Sequence, residues 1–185
     1  EATATDAATF YADGDSDGYG DLANTTVACD APEGFVADST DCADGDAAVN
    51  PSATELCDDV DNNCDGTIDE AGAADASTFY ADADGDGYGD AGGSLVACEA
   101  PEGYVSDSAD CDDSLTAVNP GASELCDEQD NNCDGVVDEA SAIDASTFYA
   151  DADNDGYGDA SSSAKACAAP SGYVSSSADC DDGDK

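Results

Sequence analysis

Histidine, methionine and tryptophan are absent from this 185-residue chain, and Lys165 and Lys185 are its only basic residues. Each absence excludes something. Without His there is no imidazole for general acid–base catalysis. With 46 acidic side chains and a formal charge of −44, the chain repels nucleic acid and anionic membrane surfaces, so no nucleic-acid partner is expected. No apolar run approaches the ~20 residues of a bilayer span, so no membrane insertion is expected. Large apolar side chains are scarce as well, with 8 Tyr and 4 Phe, and Ala and Cys supply much of the 41% hydrophobic fraction. Such a composition alone describes a disordered polyelectrolyte. Two features oppose that reading: the chain has 10 Cys, and its acidic residues recur in a fixed pattern.

The pattern is an internal repeat. Phe10-Tyr11-Ala12-Asp13 returns as Phe79-Tyr80-Ala81-Asp82 and as Phe148-Tyr149-Ala150-Asp151, each step being 69 residues. The cysteines keep the same period: Cys29, Cys98, Cys167; Cys42, Cys111, Cys180; Cys57, Cys126; Cys64, Cys133. Residues 1–69 form repeat 1, residues 70–138 repeat 2, and residues 139–185 a partial repeat 3. Both ends fall inside a motif. The expectation is continuation into a longer array or self-association into a filament, an arbitrary boundary being the plain alternative. Within each unit the local signals are short. Residues 9–12 read as a strand, residues 26–30 and 35–37 as a small hairpin about a Pro/Gly turn, and residues 47–56 as one helical turn that Pro51 keeps short. The expected fold is therefore mostly irregular with small β: tandem calcium-loop repeats with short strands and hairpins, stapled by disulfides and Ca²⁺, with little helix.

The chemical signal lies in carboxylates at alternate positions. Asp13, Asp15 and Asp17 precede Gly18, Tyr19 and Asp21; the set returns as Asp82, Asp84, Asp86, Tyr88, Asp90 and as Asp151, Asp153, Asp155, Tyr157, Asp159. Calcium takes six to eight oxygens at about 2.3–2.6 Å, and a curled chain offers them from positions 1, 3 and 5, the carbonyl of 7, and position 9. Glycine at position 6 permits the sharp turn. A second loop follows the same rule through Asp61, Asn63, Asp65, Thr67 and Asp69, and again through Asp130, Asn132, Asp134, Val136 and Asp138. Ile68 and Val137, at position 8, are expected to turn toward a small core. These are not EF-hands, because position 12 holds Asn24, Gly93, Ser162, Gly72 or Ser141 instead of Glu. The missing oxygens are expected from Asp41, Asp44, Glu55, Asp110, Asp113, Glu124, Asp179 and Asp182. A solvated acidic turn explains one such loop; five of them repel one another until counter-charge arrives. Ca²⁺ is the expected ion, with lanthanides as competitors for the same oxygens.

The cysteines suit neither zinc nor thiol redox work, since His is absent and no Cys-x-x-Cys occurs. Their even count predicts an oxidised framework. Because the third copy holds only Cys167 and Cys180, pairing within a unit is expected: Cys29–Cys42, Cys57–Cys64, Cys98–Cys111, Cys126–Cys133 and Cys167–Cys180. Bridges between copies are the alternative. Copper sites favour His, Met or free Cys, so copper is not expected.

The runs Asp110–Asp113, Asn119-Pro120-Gly121-Ala122-x-Glu124 and Asp130-Asn131-Asn132-Cys133-Asp134-Gly135-x-x-Asp138-Glu139 resemble the MopE-like metal-binding motif repeats of secreted and surface proteins. The Asp-rich loops are also similar to thrombospondin type 3 calcium repeats. The resemblance implies an extracellular or cell-surface calcium-binding protein with a structural or adhesive role. The family's copper chemistry does not carry over, because His and Trp are missing. The reading is a Ca²⁺- and disulfide-stabilised stalk or filament-forming subunit. A metal-sequestering or mineral-binding surface protein is the runner-up, and a docking module follows. No catalytic residue is assigned.

Overall fold

The computed structural model describes residues 6–180, and no helix occurs among them. Each repeat opens with a strand of Thr and aromatic residues, the side chains that suit a pleated half-buried surface. In repeat 1 this is β1 (Ala8–Ala12), followed by β2 (Asp21–Ala28) and β3 (Phe35–Val36). The next copy supplies β4 (Ser77–Ala81), β5 (Asp90–Ala97) and β6 (Tyr104–Val105), and the third β7 (Ser146–Ala150), β8 (Ser163–Ala166) and β9 (Tyr173–Val174). They make three sheets of three strands, ordered β2-β1-β3, β5-β4-β6 and β8-β7-β9. The fold is thus small antiparallel β in mostly irregular chain. Backbone packing divides it into two units, one reaching Thr78 and including Leu95–Pro101, the other holding Phe79–Ser94 and the chain from Glu102.

The hairpin expected between residues 26–30 and 35–37 does not form. Tyr11 pairs with Thr25 on one side and Val36 on the other, so β2 and β3 flank β1 and never meet. The Pro/Gly turn carries the chain across β1, closed by Phe35 N–H donating to Pro32 O at 3.1 Å. The stretch around Pro51 makes isolated turns only, with Val49 N–H on Asp46 O and Ala53 N–H on Asn50 O.

Little apolar surface is buried. Among the described residues the buried hydrophobic side chains are Val49, Ala73, Val118 and Ala142, and no large side chain is fully enclosed. Ile68 and Val137 are 57% and 50% exposed, so they do not turn into a core as expected. Beside the small apolar set sit Asp41, Glu55, Asn62, Asp110, Asn119, Glu124, Asn131 and Asp151, all buried. Polar and charged groups fill the position that oil holds elsewhere.

The disulfides join Cys42–Cys64, Cys57–Cys98, Cys111–Cys133 and Cys126–Cys167, with Cα–Cα distances from 5.1 to 5.7 Å. None of the pairs expected within a unit forms, and Cys29 and Cys180 carry free thiols. Sheet geometry gives the reason. Asp21 lies against Ala12 and Asp41, whereas Ala28 lies against Ala8. Cys29 and Cys42 therefore sit at opposite ends of β1, roughly 13 Å apart at the ordinary rise per residue. Cys98, by contrast, follows β5 with its Sγ 4.0 Å from Glu70 O, close to the segment carrying Cys57. The bonds themselves repeat every 69 residues, and two of them join consecutive repeats. Bridges closing 22 and 41 residues contribute on the order of 3–4 kcal/mol each in the chain-entropy account.

Candidate metal centres

All five Asp-rich loops adopt one backbone form. Position 6 is left-handed in each, with φ of 99°, 97° and 93° at Gly18, Gly87 and Gly156 and of 92° and 90° at Gly66 and Gly135. Position 4 is left-handed too, at Ser16, Gly85, Asn154, Cys64 and Cys133. Two inverted residues separated by one curl the chain tightly enough to turn alternate side chains inward. The position-1 carboxylate clasps the curl: Asp151 accepts from Asp155 N–H at 3.1 Å and Gly156 N–H at 3.1 Å. Asp61 and Asp130 make the same pair of bonds.

In the first type of loop the structure brings together Asp13, Asp15 and Asp17; Asp82, Asp84 and Asp86; and Asp151, Asp153 and Asp155, each set having oxygens within 4.8 Å of one another. Position 3 carries the open valence. The Oδ2 atoms of Asp15, Asp84 and Asp153 are shielded from solvent with no hydrogen-bond partner. Tyr19 and Tyr88 are half-buried and Tyr157 is exposed; the Tyr19 hydroxyl bonds Ser52 Oγ.

The segment after each sheet closes on the loop. Asp41, Asp110 and Asp179 N–H donate to the carbonyls of Gly20, Gly89 and Gly158. Asp44 Oδ1 accepts Gly14 N–H at 2.6 Å, and Asp113 Oδ1 accepts Ala83 N–H at 2.7 Å. Asp41 and Asp110 are 9% exposed, and the Oδ2 of each has no partner. Burial pushes both carboxyls above their ordinary value, and the neighbouring Asp charges push the same way. Burial and adjacent carboxylates also raise Asp84 and Asp153. Asp182 lies outside the described residues.

Asp21, Asp90 and Asp159 accept the N–H two residues on, from Ala23, Gly92 and Ser161, and belong to none of the triads. The Ser161 hydroxyl holds the Asp159 carboxyl below its usual range. In the second type of loop Asp69 Oδ1 accepts from Asp58 and Asp59 N–H, and Asp138 Oδ1 from Glu128 N–H. The residue that faces this loop is the next one, absent from the sequence-based set. Glu70 and Glu139 each accept from the Asn63 or Asn132 Nδ2 through Oε1, and each leaves Oε2 shielded and without a partner. The Asp-Glu ending shared by the two loops was the available signal.

Glu55 and Glu124, both 4% exposed, clamp the backbone. Glu124 accepts from the N–H groups of Asn131, Asn132 and Asp138 at 2.9, 3.2 and 3.1 Å. Glu55 accepts from Asn63 and Asp69 N–H. Asn63, Asp65, Asn132 and Asp134 accept the N–H two residues on through Oδ1, so Thr67 and Val136 begin the outgoing chain from a fixed turn.

Residues 41–70 and 110–139 match the Cu-binding MopE family model, described as "Putative metal-binding motif". No curated protein and no solved structure matches the chain. Each matched stretch runs from a buried orphan aspartate, through the cysteines and the clamp glutamate, to a glutamate with an orphan oxygen. The chain carries two copies of a metal-binding motif in a disulfide-bonded repeat frame. The residues fit a metal. Shielded carboxylate oxygens without partners converge in the loops, and the donors are oxygen, since His and Met are absent.

Proposed function

We propose that this is an extracellular calcium-binding repeat protein with a structural role, a stalk or filament-forming subunit in which Ca²⁺ and disulfides replace a hydrophobic core. The single observation behind it is the set of shielded, partnerless carboxylate oxygens at the same positions of successive loops. An unpaired buried carboxylate costs several kcal/mol, so loops built around one fold only when a cation balances it. All-oxygen donor sets select hard cations, and six or more oxygens in a flexible loop suit Ca²⁺ better than the rigid octahedron of Mg²⁺. The disulfides support an oxidising compartment outside the cell. Abundant carboxylates without imidazole or thiolate partners support a scaffold and not an enzyme.

The test is circular dichroism with and without a calcium chelator, alongside native mass of the calcium-loaded chain. Several bound ions and loss of ordered signal in chelator are expected. An unchanged spectrum in chelator would overturn the structural role, and weak exchangeable binding without a folding change would favour metal sequestration.

A further inference from the structure

Asp84 belongs to two carboxylate sets. Its oxygens lie within 4.8 Å of those of Asp82 and Asp86, and also within 4.8 Å of those of Asp110 and Asp113. Oxygens sharing one calcium at about 2.4 Å stand at most about 4.8 Å apart. The five carboxylates meet that limit as two triads joined at Asp84. We infer that the first loop of repeat 2 holds a pair of calcium ions, one on each triad, bridged by the Asp84 carboxylate. The inference rests on the calcium reading above and extends it from one ion per loop to two.

The second triad has its own evidence of a ligand. Asp110 is 9% exposed; its Oδ1 accepts Asp112 N–H at 2.8 Å, while Oδ2 has no partner. Asp113 is fixed through Oδ1, which accepts Ala83 N–H at 2.7 Å, and a carboxyl oxygen of it lies within the same 4.8 Å set. Asp84 gives Oδ1 to Asp86 N–H at 3.2 Å and leaves Oδ2 shielded and unused, as a bridging group requires. Charge points the same way. One divalent ion among five carboxylates leaves three charges uncompensated in a chain with two basic residues; two ions leave one. In repeat 1 Asp15 and Asp41 have the same shielded Oδ2 atoms and Asp44 makes the same backbone bond.

Native mass spectrometry of the full chain in calcium counts the ions. The double variant Asp110→Asn with Asp113→Asn should carry one ion fewer than wild type. Asp84→Asn should carry two fewer, and so should the fourfold variant that adds Asp82→Asn and Asp86→Asn. If all three lose a single ion, the loop holds one calcium; the pair is then wrong while the calcium reading stands. A wild-type chain that takes no calcium removes both. Should a variant fail to regain wild-type circular dichroism in calcium, Asp113→Asn alone replaces it, because asparagine Oδ1 still accepts Ala83 N–H. One ion fewer at limiting calcium is then expected, and an unchanged count overturns the second site.

Discussion

Glu124 is almost fully buried, and three backbone N–H groups of one Asp-rich loop converge on it. It shapes the loop from behind, as a template for the backbone, while Glu139 closes it from within. Replacing it with alanine orphans three donors, each worth about 1–3 kcal/mol when left unsatisfied. Denaturant titration in saturating calcium should show Glu124→Ala destabilised by several kcal/mol, and Glu124→Gln, which keeps one acceptor oxygen, by less. Equal losses in the two variants would mean that packing and not hydrogen bonding explains the burial. At this scale the sequence was partly legible. Alternate carboxylates announce a loop because ligand geometry is set within a few consecutive residues. Whether position 9 or position 10 turns into the loop depends on which N–H groups the rest of the fold offers, and the N–H groups of Asp58 and Asp59 claim Asp69.

Between the metal loop and β5, Gly89 lets the chain pass where no side chain fits. A Cβ there would stand 2.8 Å from Tyr80 Cβ, 2.9 Å from Ala81 O and 3.0 Å from Asp107 O. The same glycine's carbonyl receives Asp110 N–H, so it also fixes the second arm of the site. Gly89→Ala must push apart backbone atoms, a change expected to cost on the order of 1–3 kcal/mol. The expected outcome is weaker calcium uptake in repeat 2 with repeat 1 unaffected, read by titration with a calcium-sensitive electrode. A variant binding as wild type would show that the two arms are not coupled through this contact. Strand positions were legible from Thr and aromatic runs, since strand propensity is a local property. Their order was not: β1 has two free edges, and nothing in residues 26–37 says that the second belongs to β3.

Across the chain, acidity dominates the response to solution conditions. Asp41, Asp84, Asp110 and Asp153 all have carboxyls raised from the model-compound value of 3.8, chiefly by burial. Without metal, the folded protein holds those protons more tightly than the unfolded chain does. Their favourable contribution is complete below about pH 4 and is lost as pH rises through the shifted values. In chelator the ordered circular-dichroism signal should therefore be best retained near pH 4 and decline as pH rises, reaching the loss expected at neutral pH. In saturating calcium the slope should reverse, because protons then compete with the ion for the same oxygens. A common slope under both conditions would show that these carboxylates are not the ones calcium occupies. The cysteine pairing belongs to this scale too. Spacing along the chain suggested neighbours, but β1 holds Cys29 and Cys42 apart and the end of β5 brings Cys98 to Cys57.

That pairing has a mechanical meaning. The loop closed by Cys42–Cys64 contains Cys57, and the loop closed by Cys57–Cys98 contains Cys64, so the two rings interlock in sequence; Cys111–Cys133 and Cys126–Cys167 do the same. The shortest covalent route from Cys42 to Cys167 passes through four sulfur–sulfur bonds and three brief lengths of backbone. A tensile load between those ends is carried by that route, and most of the residues between them, including the Asp-rich turns at 82–90 and 151–159, lie in slack side loops that the force bypasses.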